Sequence, residues 1–455
     1  MRASSGLSAR SPYPMSTAPL TKVVWFLTNL PSLVPHMPPS VSGPLILLVA
    51  GAVLLVGCVR LPREDRLPVG LLGGLVAGLV NLLAFGTRLT DRAAPGVEGL
   101  VPNAALLVVG FLTAMCVTGL VAGFGARSLG GIRHRRTVRS WLASFAVVNA
   151  VAILPLIALG GLVTSAKAGM AVPDWPGTYG ANMFLYPISL MSEPRILLEH
   201  SHRLFGAMVG LTTVVGFIFA ICAAPKTWMK LAALGLLVLV IAQGIAGALR
   251  VLETSRAFAI VHAITGQVFF ALMCAYAAGV SEKWALWKAD AAARITAPTP
   301  RKGIITLLCL LFVQLVMGTM VRHPGEKNSL HALYTHGTLS LVILVLAIIV
   351  GTKMMGLKKK APEHGRSLWF AGHHVVGAVG LQFLLGWIAL IAWMANKEQP
   401  IVSPTADQLA GAEAIRPLNV LIRTAHQANG ALLFGMSAVM AVWGLVKAEA
   451  VSRKA

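Results

Sequence analysis

The sequence predicts an all-α polytopic membrane protein: two tandem four-helix bundles related by a pseudo-twofold axis along the membrane normal, preceded by three extra transmembrane helices. Three observations predict it. The 455 residues are 56% hydrophobic and only 12% charged, which is membrane composition rather than that of a large soluble core. Eleven segments approach or exceed the roughly 20 apolar residues that cross a bilayer as helix. The last eight of them repeat, four against four.

The spans run near 43–59, 67–87, 101–125, 141–165, 202–224, 231–252, 257–280, 303–321, 332–352, 368–394 and 426–447. They are far too long for barrel strands, and in lipid each backbone group must be satisfied within its own segment. Residues 1–42 are expected to lie outside the membrane. The first 22 residues lack the long apolar core of a signal peptide, the patch near 24–35 is short and contains Pro31, and Met15 is an alternative start. Residues 43–140 form a three-helix extension with almost no polar residue inside its spans and no legible chemistry. The first bundle is expected over 141–290 and the second over 291–455.

The formal net charge is +22. Most basic residues fall in short loops such as "RSLGGIRHRRTVRS" and "TKMMGLKKKAPEHGR", so the positive-inside rule accounts for them and nucleic acid is not an expected partner. The basic loops mark the cytoplasmic (or matrix) side of a bacterial plasma or mitochondrial inner membrane. The N-terminus then lies outside and the C-terminus inside. Cys58, Cys116, Cys222, Cys274 and Cys309 all sit in apolar runs with no CxxC, as small buried residues would.

The repeat is carried by polar residues. "HAITGQVFFA" (262–271) and "HQANGALLFG" (426–435) open the fourth and eighth spans of the set. "AQGIAG" (242–247) and "LQFLLG" (381–386) share Q-x-x-x-G in the third and seventh, and His202 and His336 open the second and sixth. His202, His262, His336 and His426 thus fall at similar depth at the outer ends of alternate helices, two per bundle. Alternate helices of an up-down bundle are diagonal, so each pair can face across the centre, as bis-histidine haem ligation requires. A single intramembrane histidine is more often a packing residue; four at equivalent positions favour haem iron. Arg203, Arg250, Arg322 and Arg423 are candidate propionate contacts, with snorkelling to headgroups as the alternative for each.

Glu199 lies three residues before His202, where the second bundle has Leu333. A carboxylate there can orient a ligand or act as acid or base. Its presence at only one site suggests catalysis in the first bundle and electron transfer in the second. His200 is expected at the interface, and His331, His373 and His374 have no counterpart in the repeat. The loop 164–180, rich in Gly, Pro and aromatics, reads as an interfacial turn or as a lid.

The stretch "GGLVTSAKAGMAVPDWPGTYG", with "EHSHRLFG", "AQGIAGALRVL" and "AHQANGALL", resembles the haem A synthases, cytochrome oxidase assembly proteins, over about 141–447. The resemblance implies eight helices in two halves and oxidation of a haem O ring methyl to a formyl group by successive hydroxylation. It implies that His202 and His262 flank substrate haem O, that Glu199 is the carboxylate needed for oxidation, and that His336 and His426 are axial ligands of a haem b. A haem O synthase upstream and a haem-copper oxidase downstream would be the partners. The electron donor and self-association are left open. The chain departs from the pattern at Gly337, where an arginine is common, in a short loop at 323–331, and in having no cysteine pair within 166–198. Two rivals stand beside this reading. One is a non-catalytic bis-histidine dihaem electron carrier. The other is a transporter, disfavoured because the repeated polar groups lie at helix ends rather than at the midplane.

Overall fold

The computed structural model describes residues 39–94, 97–129, 137–286, 299–323, 329–360, 365–396 and 403–445. The patch near 24–35, Met15 and the expected boundary at 290/291 lie outside them. Among the described residues are eleven long helices: α1 Pro39–Val59, α2 Arg66–Phe85, α3 Ala104–Ser128, α4 Val138–Ser165, α5 Pro194–Ala223, α6 Thr227–Leu252, α7 Arg256–Gly279, α8 Arg301–Arg322, α9 Ser329–Gly356, α10 Gly365–Asn396 and α11 Pro417–Gly444. Nine of these, α2 to α10, contain a stretch long and apolar enough to cross a membrane, which supports a multi-pass membrane protein. The apolar stretch of α1 is shorter (Gly43–Val59). The eleventh helix, with Arg423, His426, Gln427 and Asn429 in its first half, is not among the nine. Eleven spans were expected, and length and apolarity support nine.

Contacts divide the chain into two units: residues 1–85 with 102–141, and residues 86–101 with 142–455. In the first unit α2 and α3 pack through glycines. A methyl group at Gly74 would strike the Met115 carbonyl, and one at Gly119 the Gly70 carbonyl. Small residues let apolar helices approach closely where lipid offers no hydrophobic drive between them. Arg66, 1% exposed, closes this unit: its guanidinium donates to the carbonyls of Leu61 (3.0 Å), Leu129 (3.0 Å) and Ala126. Helix-end carbonyls that have no partner within their helix are satisfied in this way.

In the second unit the neighbours are α5–α6 and α6–α7, then α8–α9, α9–α10, α10–α11 and α8–α11, so the last four helices close a ring. Helix α7 packs on both α8 and α11. The two sets of four differ inside. The ring α8–α11 is filled by Ile304, Leu307, Ile343, Val350, Met354 and Leu368. Helices α4–α7 instead line a cavity of ≈ 20 Å³ that includes Asn149, Thr213 and Tyr276. Asn149 Oδ1 and the Tyr276 hydroxyl are buried there without a hydrogen-bond partner among the described residues. That volume suits about one water molecule.

A β-hairpin, unannounced by any periodicity in the sequence, connects α2 to α3. Strand β1 (Thr90–Ala94) pairs antiparallel with β2 (Val97–Leu100), with an irregularity between Thr90 and Arg92. It belongs to the second unit, although the helices on either side of it belong to the first.

Candidate functional site

Each of the four repeated histidines rests on a glycine of another helix. A methyl group on Gly160 of α4 would stand 3.0 Å from the His202 ring on α5, and one on Gly247 of α6 would stand 3.2 Å from His262 on α7. Gly318 of α8 stands in the same relation to His336 on α9 (2.8 Å), and Gly386 of α10 to His426 on α11 (3.1 Å). The odd-numbered helices of the eight supply a shelf and the even-numbered ones the ring.

The shelf also sets the tautomer. His262 Nδ1 lies 3.1 Å from the Gln243 carbonyl and His336 Nδ1 lies 3.2 Å from that of Gln314. A carbonyl only accepts, so Nδ1 carries the proton and Nε2 keeps its lone pair for a ligand. The Gln314 side-chain amide adds a second tie, its Nε2 donating to the His336 carbonyl (2.9 Å). His426 is approached by Gln382 Nε2, 3.2 Å from Nδ1, and Asn429 donates to Gln382 Oε1 (2.9 Å). Gln314 with Gly318 is a third Q-x-x-x-G, which the sequence reading missed although "QLVMG" spells it. In the first helix of the set Leu156 holds that place, and its backbone is the hydrogen-bond partner of the buried His202 ring.

The rings meet in twos. His202 and His262 have centroids 6.3 Å apart at 86°, and His336 and His426 6.2 Å apart at 78°. A ligating imidazole nitrogen sits about 2 Å from its metal, and roughly 1 Å more reaches the ring centre, so two rings on opposite sides of one ion stand about 6 Å apart. Both pairs have that spacing. Among the described residues no three or more His, Cys, Asp or Glu side chains gather around one point.

Glu199 stays with the first pair, but its partners are not the histidines. It is 4% exposed; Oε1 pairs with Arg203 Nη2 at 2.8 Å, and Oε2 accepts from the Val172 amide at 3.0 Å. Arg203 also donates to the carbonyls of Asp174 (2.6 Å), Gly177 (3.0 Å) and Val172 (2.9 Å). This buried ion pair fastens the loop that follows α4 onto α5. The loop is organised internally by Asp174, which accepts from the amides of Tyr179 and Gly180, both at 2.8 Å. Those bonds hold Tyr179 at φ 52, a conformation uncommon for a bulky residue. The Tyr179 hydroxyl donates to the Ala171 carbonyl at 2.5 Å. Burial, then the nearby Tyr186, Glu199, Glu193 and Asp174, push its pKa up to about 12. His200, expected at the interface, is instead 1% exposed, bonded to Thr178 Oγ1 (3.2 Å) and packed on Tyr186. These two loop residues, not the lipid, explain the burial.

Arg250 ends α6 against this loop: a methyl at Gly169 would collide with its guanidinium. Arg322 ends α8 and crosses to α4, donating to the Gly161 carbonyl (2.8 Å) and Ser165 Oγ (2.5 Å). It lies within electrostatic reach of Arg250 and Arg423. His331, His373 and His374 are exposed; the last two stack on Trp369 and Phe370.

Residues 143–332 match the family COX15-CtaA, described as cytochrome oxidase assembly protein. The match agrees with the resemblance read from the motifs and supports a role in cytochrome oxidase assembly. It contains Glu199, His202 and His262, and stops short of His336 and His426. No curated protein and no solved structure matches the chain.

Proposed function

We propose that the protein is a haem A synthase that oxidises the ring methyl of haem O to a formyl group by successive hydroxylation. The observation that carries the proposal is the matched geometry of two histidine pairs, of which only one has a buried carboxylate on the adjoining turn. His202 and His262 would hold haem O, which would supply the methyl group, and His336 and His426 would hold haem b, which would supply a one-electron redox centre.

The residues of the chain have separable tasks. The Gln243 and Gln314 carbonyls fix the rings of His262 and His336 with Nε2 free. Arg250, Arg322 and Arg423 gather positive charge between the two pairs, where propionate carboxylates would be received. The loop folded over Glu199 and Arg203 excludes water, and Glu199 holds or moves a proton at its carboxylate. In this reading the sites lie near the non-cytoplasmic side of a bacterial plasma or mitochondrial inner membrane, a haem O synthase supplies the substrate, and haem-copper oxidase assembly uses the product.

One observation favours the dihaem electron carrier instead: both oxygens of Glu199 already have partners in the chain. The test is to purify the protein from a host that makes haem O but no haem A, with a reductant present, and to identify the bound haems. Haem A or its hydroxylated precursor beside haem b supports the enzyme; haem b alone, with haem O untouched, supports the carrier. Glu199→Gln keeps an acceptor for Val172, so it should retain haem and lose formyl production. Normal haem A in that variant would remove Glu199 from the chemistry.

A further inference from the structure

We propose that the β-hairpin between α2 and α3 is a strap that positions the loop 166–193, and through that loop Glu199. This gives the N-terminal extension a task at the first site, and it stands whether or not the histidine pairs bind haem.

The first observation is that the hairpin's base is buried. Leu89 is 7% exposed, Thr87 5% and Thr90 6%, and the Val101 amide donates to the Leu89 carbonyl at 2.9 Å to close the base. The second is what the base is buried against. Thr90 Oγ1 donates to the Leu185 carbonyl. At Gly86 a methyl group would strike the Phe184 carbonyl, so the backbones themselves are in contact. Two consecutive residues of the loop are therefore held by 86–90.

From Leu185 the contacts run without a gap to Glu199. Tyr186, the next residue, is 5% exposed and packs on both His200 (5.7 Å) and Tyr179 (5.9 Å). The Tyr179 hydroxyl holds the Ala171 carbonyl, and the Val172 amide, next along, is the donor to Glu199. A strap at one end of this path limits the motion of a carboxylate at the other. Gly86 and Thr90 are positioning residues in this account.

Hydrogen–deuterium exchange on the full-length protein, without added haem, tests the proposal. Thr90→Val keeps the shape of the side chain and removes its donor. A single net hydrogen bond corresponds to roughly a three- to tenfold change in an opening equilibrium, so amides of 171–186, including Val172 and Gly180, should exchange about three- to tenfold faster. Thr90→Ser restores the hydroxyl and should restore protection. Gly86→Val should loosen the same segment further; if that variant does not fold, Thr90→Val decides alone. Residues 224–229, at the opposite end of α5, serve as the control and should not change. Unaltered exchange at Val172 and Gly180 in Thr90→Val would overturn the strap, as would an equal acceleration at 224–229 or a failure of Thr90→Ser to rescue.

Discussion

Gly318→Ala isolates the shelf beneath a histidine. Replacing glycine by alanine inside a helix is worth up to about 1 kcal/mol in favour of the helix, and Gly235, with nothing within 4 Å of an added methyl, should realise that gain. At Gly318 the same methyl would stand 2.8 Å from His336 Cε1 and 3.2 Å from Nδ1, against 3.4 Å or more for ordinary contact. The ring must retreat by about half an ångström, and its Nδ1 bond to the Gln314 carbonyl, already 3.2 Å, fixes the direction it would be forced from. Overpacking of this kind costs about 1–3 kcal/mol, and the helix gain is common to both, so the two variants should differ by about 1–3 kcal/mol in unfolding free energy. The assay is thermal unfolding in detergent, paired with the reduced-minus-oxidised spectrum of bound haem. Gly318→Ala should lower both the midpoint and the haem content, and Gly235→Ala should lower neither. If Gly318→Ala matches Gly235→Ala in both measurements, the glycine is not a shelf and the reading of all four glycine–histidine contacts fails.

Arg322→Gln should destabilise the second unit by about 2–3 kcal/mol, because a charged donor to Gly161 and Ser165 is lost; Arg322→Lys should fall between, and a chemical denaturation midpoint unchanged from wild type would refute the bridge. Tyr179 has a pKa raised to about 12 from the usual 10 or so of an exposed phenol, so the folded state holds its proton more tightly. Its contribution to loop stability is complete below about pH 10 and is lost as pH rises towards 12. The wild-type minus Tyr179→Phe difference in tyrosinate absorbance should therefore titrate near 12, and a midpoint near 10 would contradict the buried hydrogen bond. For the Glu199–Arg203 pair, each single change to leucine should destabilise by about 3–5 kcal/mol, and the double change should stay destabilising by about 1–3 kcal/mol or more, because the Val172 amide and the carbonyls of Val172, Asp174 and Gly177 lose their partners, measured by the same unfolding assay with haem content alongside.

The helices were legible because an apolar run of membrane length is a local property, and all eleven appear within a few residues of their expected ends except α5 and α11. Helix α11 begins at Pro417 rather than near 426, with proline in its first turn. Helix α5 begins at Pro194 rather than near 202, since Glu193 caps it, accepting from the amides of Arg195 and Ile196, and Pro194 suits the first turn. The early start is what puts Glu199 and His200 on the helix. The pairing of the histidines was legible because the repeat is carried by one residue type at one depth. The hairpin was not: its strands are four and five residues long and contain Ala, Gly, Asp and Glu, residues with low strand propensity, so only its contact with 184–185 reveals it. Nor was the Val172 partner of Glu199 legible, because it is a backbone amide of a loop whose course depends on Asp174 and on a left-handed Tyr179. The shelf glycines were visible as letters, but a glycine announces a close approach without naming what approaches.

The double change at Glu199 and Arg203 bears on why the two histidine pairs differ. Burying an ion pair is weak support for a fold, since apolar residues of similar size usually do as well or better. The second bundle illustrates the point: Leu333 and Gly337 occupy the places corresponding to Glu199 and Arg203, yet His336 and His426 reach the same separation as the first pair to within 0.1 Å. Histidine geometry therefore does not require the ion pair. What the pair does hold is the loop, through Val172, Asp174 and Gly177. A site that only passes electrons gains nothing from a fastened cover and a buried carboxylate. A site that must bring a proton and a bulky substrate together away from water gains both. If the double variant folds, binds haem at His202 and His262, and still makes haem A, this argument is wrong and the pair is a clasp alone. If it folds and binds but forms no formyl group, the asymmetry between the two bundles is the division between the reacting site and the one that serves it.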